Sequence, residues 1–198
     1  MDLNAYEILL ASRSPRRSAL MEELGIPFRV VDTGHSDEHY PADLKGGAIA
    51  QYLAEHKSDA YQEILKPNQI LLTADTIVWL EEKELGKPVD REEAIAMISS
   101  LSGQTHQVFT GACLRSHQAR ISFFAVTDVT FSLLEREEIL NYVDRYQPLD
   151  KAGAYGIQEW IGYIGVERIV GSYFNVMGLP VQKVYSELKK FVNTHPKN

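Results

Sequence analysis

LASRSPRRSAL, Leu10 to Leu20, passes from a strand to a helix with almost no linker. Upstream, Ile8, Leu9, Leu10 and Ala11 make a short apolar run suited to a buried strand. Downstream, Leu20, Met21 and Leu24 recur at helical spacing, and Gly25 stands as a C-terminal stop. Ser14 reads as an N-cap and Pro15 as a first helical residue. A helix over Pro15–Leu24 then carries Arg16 and Arg17 in its first turn, at the positive end of its dipole. A cation there costs about 0.3–1 kcal/mol when nothing compensates. A bound anion compensates, because it accepts from backbone N–H groups and from both guanidinium groups together. Two solvated arginines on an exposed turn are the alternative.

The same reading continues along the chain. A strand is expected near Phe28–Val31, then a polar loop over Asp32–Asp43, then a helix over Gly47–Leu65 that ends before Pro67. Ile70–Leu80 reads as a strand with Glu81–Glu84 as its turn. Arg91–Leu101 reads as a helix capped by Asp90, with Glu93 completing a capping box and Gly103 ending it. Val108–Leu114 and Ile121–Phe131, rich in β-branched and aromatic residues, are expected as antiparallel strands. Glu135–Tyr146 reads as helix, Tyr163–Val170 as strand, and Pro180–Val192 as a closing helix with Val181, Val184, Leu188 and Phe191 inward. Strands and helices alternate without a strict βαβ period, so the expected class is α/β or α+β: a mixed sheet flanked by helices.

The chain of 198 residues is long enough for one large domain or two small lobes, and a single domain over residues 1–198 is expected. It is 44% apolar and 24% charged, with no run long enough to span a membrane and no secretory signal at its start. Its one cysteine, Cys113, sits in an apolar stretch and reads as a small core residue in a reducing, cytoplasmic setting. A net charge of −7 argues against a general nucleic-acid binder, which needs a basic face. A small phosphorylated ligand needs only a few cations gathered in one place.

Further stretches carry chemistry. In ILLTADTIVWL, Asp75 and Thr76 interrupt an apolar strand. Burying an unpaired carboxylate costs several kcal/mol, so Asp75 must be paired, bound to metal or exposed in a cleft; a bulge satisfying both residues on backbone is the alternative. In LGKPVD, Lys87 lies between Gly86 and Pro88 on a stiff segment. In DKAGAYGIQ, Gly153 and Gly156 point to tight turns or a close approach, and the Gln158 amide offers a donor and an acceptor that can complement the N3–H and O4 edge of uracil or thymine, a merely solvated loop glutamine being the more frequent alternative. In GSYFNVMGLP, Ser172 and Asn175 suit either capping or phosphate contact, with capping favoured. His35 and His39 invite a zinc reading, but Gly34 and Pro41 make the segment a loop that imposes no common face; Glu38 is better suited as an oxygen ligand for Mg²⁺. The absence of a P-loop, a G-x-G-x-x-G fingerprint and a G-x-S-x-G elbow disfavours the usual NTPase, dehydrogenase and hydrolase plans.

In order and spacing, ASRSPRR, ADTIV, LGKP, LSGQTHQVFTG, LDKAGAYGIQ and GSYFNVMGLP resemble the Maf family of nucleoside triphosphate pyrophosphatases, from about Leu9 to Pro180. The resemblance implies a mixed α/β fold of the inosine triphosphatase kind, with two lobes flanking a deep cleft. It implies hydrolysis between the α- and β-phosphates with a divalent cation, Mg²⁺ or Mn²⁺, and it allows a homodimer. It makes Asp75 the general base, and places Ser12, Arg16, Lys57, Lys87 and Ser172 on phosphate and Glu38 beside Asp75 at the metal. The AGAYGIQ wording resembles the branch acting on dTTP and UTP, which assigns base specificity to the positions of Arg17, Thr76 and Gln158. This chain departs from the family in having Glu159 and Trp160 after that glutamine, where glycine is frequent. The alternative function is a non-catalytic nucleotide sensor in the control of cell division.

Overall fold

The computed structural model describes residues 5–32 and 39–194. The chain divides into two compact units: residues 1–75, 110–125 and 178–198 form the first, and residues 76–109 and 126–177 the second. The mixed α/β class expected above is what forms: among the described residues seven strands, β1 (Glu7–Ala11), β2 (Phe28–Val31), β3 (Gln69–Leu80), β4 (Lys83–Leu85), β5 (Thr105–Arg115), β6 (Arg120–Phe131) and β7 (Val166–Val170), make one sheet ordered β2-β1-β3-β5-β6-β7, with β4 paired to β3.

In the first unit, β1 (Glu7–Ala11) lies parallel to both β2 (Phe28–Val31) and β3 (Gln69–Leu80), with Leu10 opposite Val30 and Leu72. Ile8–Ala11 is apolar without alternation because the residues on both faces of the strand are buried, as in a parallel sheet covered on each side. Between them run α1 (Pro15–Glu23) and α2 (Gly47–Asp59). Helix α2 stops six residues before the expected end at Leu65. There Ser58 is buried, its Oγ donating to the Glu55 carbonyl and accepting from Arg115 Nε at 3.0 Å, while Asp59 pairs with the same guanidinium. These long-range contacts end the helix where local propensity would have carried it on. Cys113 is fully buried, and burial pushes its thiol up, as a core residue requires. The unit closes with α7 (Val181–Thr194), whose buried stripe is Val184, Leu188, Phe191 and Val192; Val181, expected inward, is only half-buried.

The second unit has its own core, built from Val78, Ile98, Val108, Phe131, Tyr142, Tyr155 and Ile161 among others. Two elements differ from expectation. Residues Glu81–Glu84 are not all turn: β4 (Lys83–Leu85) folds back antiparallel on β3. Glu81 and Glu82 both take positive φ, +47° and +63°, the geometry of a primed hairpin turn that Asn-Gly would have announced. Residues 163–165 are not strand: α5 (Trp160–Gly165) precedes β7 (Val166–Val170), which pairs antiparallel with β6 (Arg120–Phe131). Helix α3 (Arg91–Leu101) has the expected cap, with Asp90 accepting from Glu93 N–H at 2.8 Å. The box is offset, since the Glu93 carboxylate accepts from Val89 N–H and not from Asp90. The remaining elements are β5 (Thr105–Arg115), α4 (Arg136–Tyr146) and α6 (Tyr173–Met177). Among the described residues no helix is long and apolar enough to cross a membrane.

Candidate active site

Asp75 is the last residue of β3 that belongs to the first unit, and Thr76 the first that belongs to the second. Strand β3 runs through both without a break. The Asp75 carboxylate is paired with Lys57 Nζ, the two side chains being 12% and 13% exposed. Of the possibilities raised for a carboxylate in this strand, pairing is the one observed. Lys57 reaches it from the last turn of α2, where a cation suits the helix dipole. That helix is held close by two devices. Thr73 Oγ1, two residues before Asp75, donates to the Ala54 carbonyl at 2.6 Å. Gly111 lies so near α2 that a Cβ there would come within 2.1 Å of the Ala50 carbonyl oxygen.

The same unit holds Ser12, Arg16 and Arg17. Buried Ser12 accepts from Ser14 N–H at 3.1 Å, and Ser14 caps α1 as expected by accepting from Arg17 N–H. Arg17 Nε donates to the Gly178 carbonyl at 2.8 Å, so part of the compensation sought for its position comes from backbone just before α7. Glu38 and His35, with the rest of residues 33–38, lie outside the described residues.

The second unit holds Thr76, Lys87, Gln158 and Ser172. Lys87 is exposed, next to a segment tied down by Gly153 N–H, which donates to the Gly86 carbonyl at 3.0 Å. Gly153 needs its positive φ of +67° and its lack of a side chain, since a Cβ would meet Val78 at 2.9 Å. Ser172 acts as a cap, as favoured: its Oγ accepts from Asn175 N–H at the start of α6, and its own N–H donates to Thr127 Oγ1 at 3.1 Å. Gln158 keeps its amide oxygen buried without a hydrogen-bond partner among the described residues. A buried acceptor left unmet is costly unless a ligand donates to it.

Sequence reasoning missed what surrounds Gln158. Glu159 receives a hydrogen bond from the Tyr142 hydroxyl and sits 3.2 Å from Lys151 Nζ. Burial, reinforced by that carboxylate, pushes the Tyr142 hydroxyl pKa far up, so it stays a donor. Nearby, the His106 ring shares a 2.7 Å hydrogen bond with the Tyr155 hydroxyl, and burial lowers its pKa to about 4. The one signal available was the presence of a charged Glu159 after the glutamine.

Among the described residues no three His, Cys, Asp or Glu side chains gather as a metal cage. Asp75 offers a hard oxygen donor, which fits an Mg²⁺ or Mn²⁺ ion that takes one or two carboxylates and draws its other ligands from water and phosphate.

Comparison with known proteins gives one consistent result. The family model for Maf-like protein matches residues 7–191. A dTTP/UTP pyrophosphatase of Bacteroides thetaiotaomicron is 57% identical over 189 residues, covering 96% of this chain and 98% of that one. Another of that name from Flavobacterium johnsoniae is 48% identical over 192 residues, covering 96% and 97%. A Ham1 protein structure from Staphylococcus aureus overlays with a TM-score of 0.45 at 14% identity, over 63% of this chain and 71% of that one.

Proposed function

Because this chain belongs to the Maf family, we propose that it is a nucleoside triphosphate pyrophosphatase that cleaves dTTP and UTP to the monophosphate and pyrophosphate. The observation that carries the reaction is the Asp75–Lys57 pair: an acceptor and a cation held together on buried, rigid elements. The names of the relatives support the substrate.

Asp75 orients a water and takes its proton as the oxygen bonds to the α-phosphorus. The bond from that phosphorus to the bridging oxygen breaks, and pyrophosphate leaves with the electron pair. Lys57 fixes the direction of the carboxylate. Arg16, Lys57 and Lys87 balance charge on the phosphates, and the Ser12 and Ser172 hydroxyls donate to them; the Ser172 hydroxyl, although it accepts from Asn175, still has a proton to give. Arg17, Thr76 and Gln158 read the base, the Gln158 oxygen accepting from N3–H of uracil or thymine. Asp75 and Glu38 would hold Mg²⁺ or Mn²⁺, which when bound would neutralise triphosphate charge and raise the acidity of water.

The test is product analysis with dTTP, UTP, CTP, GTP and 7-methyl-GTP, for the native protein and Asp75→Asn. Monophosphate and pyrophosphate from dTTP and UTP, absent in the variant, are expected. Release of inorganic phosphate would make the protein an ordinary phosphatase. No turnover of any nucleotide would favour the sensor.

A further inference from the structure

The Gln158 amide has a symmetry problem. Half a rotation about its last bond exchanges donor and acceptor. One orientation complements N3–H and O4 of uracil or thymine, and the other complements N3 and the N4 amino group of cytosine. Discrimination between them requires something that tells the two ends of the amide apart.

Glu159 supplies that asymmetry. A Cβ built on Gly156 would lie 2.9 Å from Gln158 Nε2 and 3.0 Å from Glu159 Oε2, so the amide nitrogen and the carboxylate share the space over one glycine. The amide oxygen is the buried end without a partner among the described residues. The carboxylate is itself fixed from two directions. The Tyr142 hydroxyl donates to Oε2, and Lys151 Nζ stands 3.2 Å from Oε1, with Lys151 9% and Glu159 18% exposed. Lys151 also meets Asp150 at 2.7 Å. The turn carrying Gln158 is closed by the same groups: Gly156 N–H donates to the Tyr142 hydroxyl at 3.0 Å, and Glu159 N–H donates to the Gly156 carbonyl at 2.9 Å.

We infer that Glu159 is a specificity-determining positioning residue: its clamped carboxylate keeps the nitrogen end of the Gln158 amide on its own side, leaving the oxygen end to accept from the N3–H of uracil or thymine. This rests on the reading of Gln158 given above. Glu159 acts through Gln158 and makes no contact with substrate. Its charge is what matters, because a carboxylate attracts the amide nitrogen and repels the amide oxygen.

The experiment compares kcat/KM for dTTP and dCTP in the native protein, Glu159→Gln, Tyr142→Phe and Gln158→Ala, each checked for folding by circular dichroism. Glu159→Gln keeps the shape and removes the charge, and its dTTP-to-dCTP ratio is expected to fall about tenfold through KM, with kcat on dTTP within about twofold. Tyr142→Phe, which loosens the clamp, should move the ratio the same way. The ratio is independent of the folded fraction, so a merely structural role would lower both substrates together and leave it unchanged. A ratio lost in Gln158→Ala but kept in the other two overturns the role of Glu159 alone. A ratio kept in Gln158→Ala overturns the base-reading assignment, and the role of Glu159 with it. Should the native protein cleave neither nucleotide, calorimetric binding of dTTP and dCTP to the same four proteins makes the same comparison.

Discussion

Lys57 and Asp75 are individually unremarkable residue types made decisive by their burial together. Removing one member of a buried ion pair costs about 3–5 kcal/mol, because the other charge is left without compensation. Lys57→Met should therefore lower urea stability by about 3 kcal/mol, towards the lower end of that range since each side chain keeps some exposure. Asp75→Asn leaves the Lys57 ammonium without its counter-charge in the same way and should cost a comparable amount, while also abolishing turnover. Native stability in both variants would contradict the pairing seen here. His106 makes a prediction of opposite kind. Its folded pKa, about 4, lies below its ordinary value of 6.5, so between those values the unfolded chain holds the proton and the folded chain does not. Stability must then rise with pH through this window and be lost as pH falls, by at most about 3 kcal/mol. Urea titrations at pH 7.5, 5.5 and 4.5 should show that loss in the native protein and a smaller one in His106→Gln.

Among the elements, α2 and β5 are pressed together at a point where only glycine fits. The Gly111 Cβ would meet backbone on α2, which cannot rotate away as a side chain could. Gly111→Ala should cost about 1–3 kcal/mol and, by moving the helix that carries Lys57, should also lower kcat. A variant with native Tm and kcat would show that α2 shifts freely. The β3–β4 hairpin offers the converse. Glu81 and Glu82 hold positive φ without the residues suited to it, so replacing them by Asn-Gly should raise stability by about 1 kcal/mol, read from the urea midpoint. Helix α5 shows why some elements were illegible. WIGYIG favours strand by its aromatic and β-branched residues. It is helical because Ile161 is drawn fully into the core and because Gly162 rests against the Ile157 carbonyl, where a Cβ would come within 1.8 Å. The burial of Ile161 cannot be read from its neighbours along the chain.

For the molecule as a whole, the expected handling of metal separates activity from stability. Asp75 and Glu38 are the two carboxylates proposed for the cation, and an Mg²⁺ or Mn²⁺ ion on two carboxylates takes its other ligands from water and the substrate's phosphates. Removing it with EDTA should abolish turnover of dTTP, and Mg²⁺ or Mn²⁺ should restore it. The Tm of the substrate-free protein should change by less than about 1 °C, because a ligand stabilises only in proportion to its binding to the folded state. A drop of several degrees would reveal a protein-held metal. The negative overall charge fits this plan, since cations need be gathered only where the triphosphate lies.

What could be read along the chain was whatever is encoded within a few residues. The apolar β1, the Ser14 cap with Pro15 behind it, the Asp90 cap, the stripe of α7 and the odd carboxylate in β3 are all signals of that range. The motifs that carry the family resemblance are local in the same way. The partner of Asp75, the anchoring of Arg17 on Gly178, the early end of α2, the helicity of Trp160–Gly165 and the clamp around Glu159 are of another kind. Each joins residues that need not be neighbours in sequence, and each depends on burial, which strips away water and makes a charge, a hydroxyl or a missing Cβ count for several times what it would at the surface.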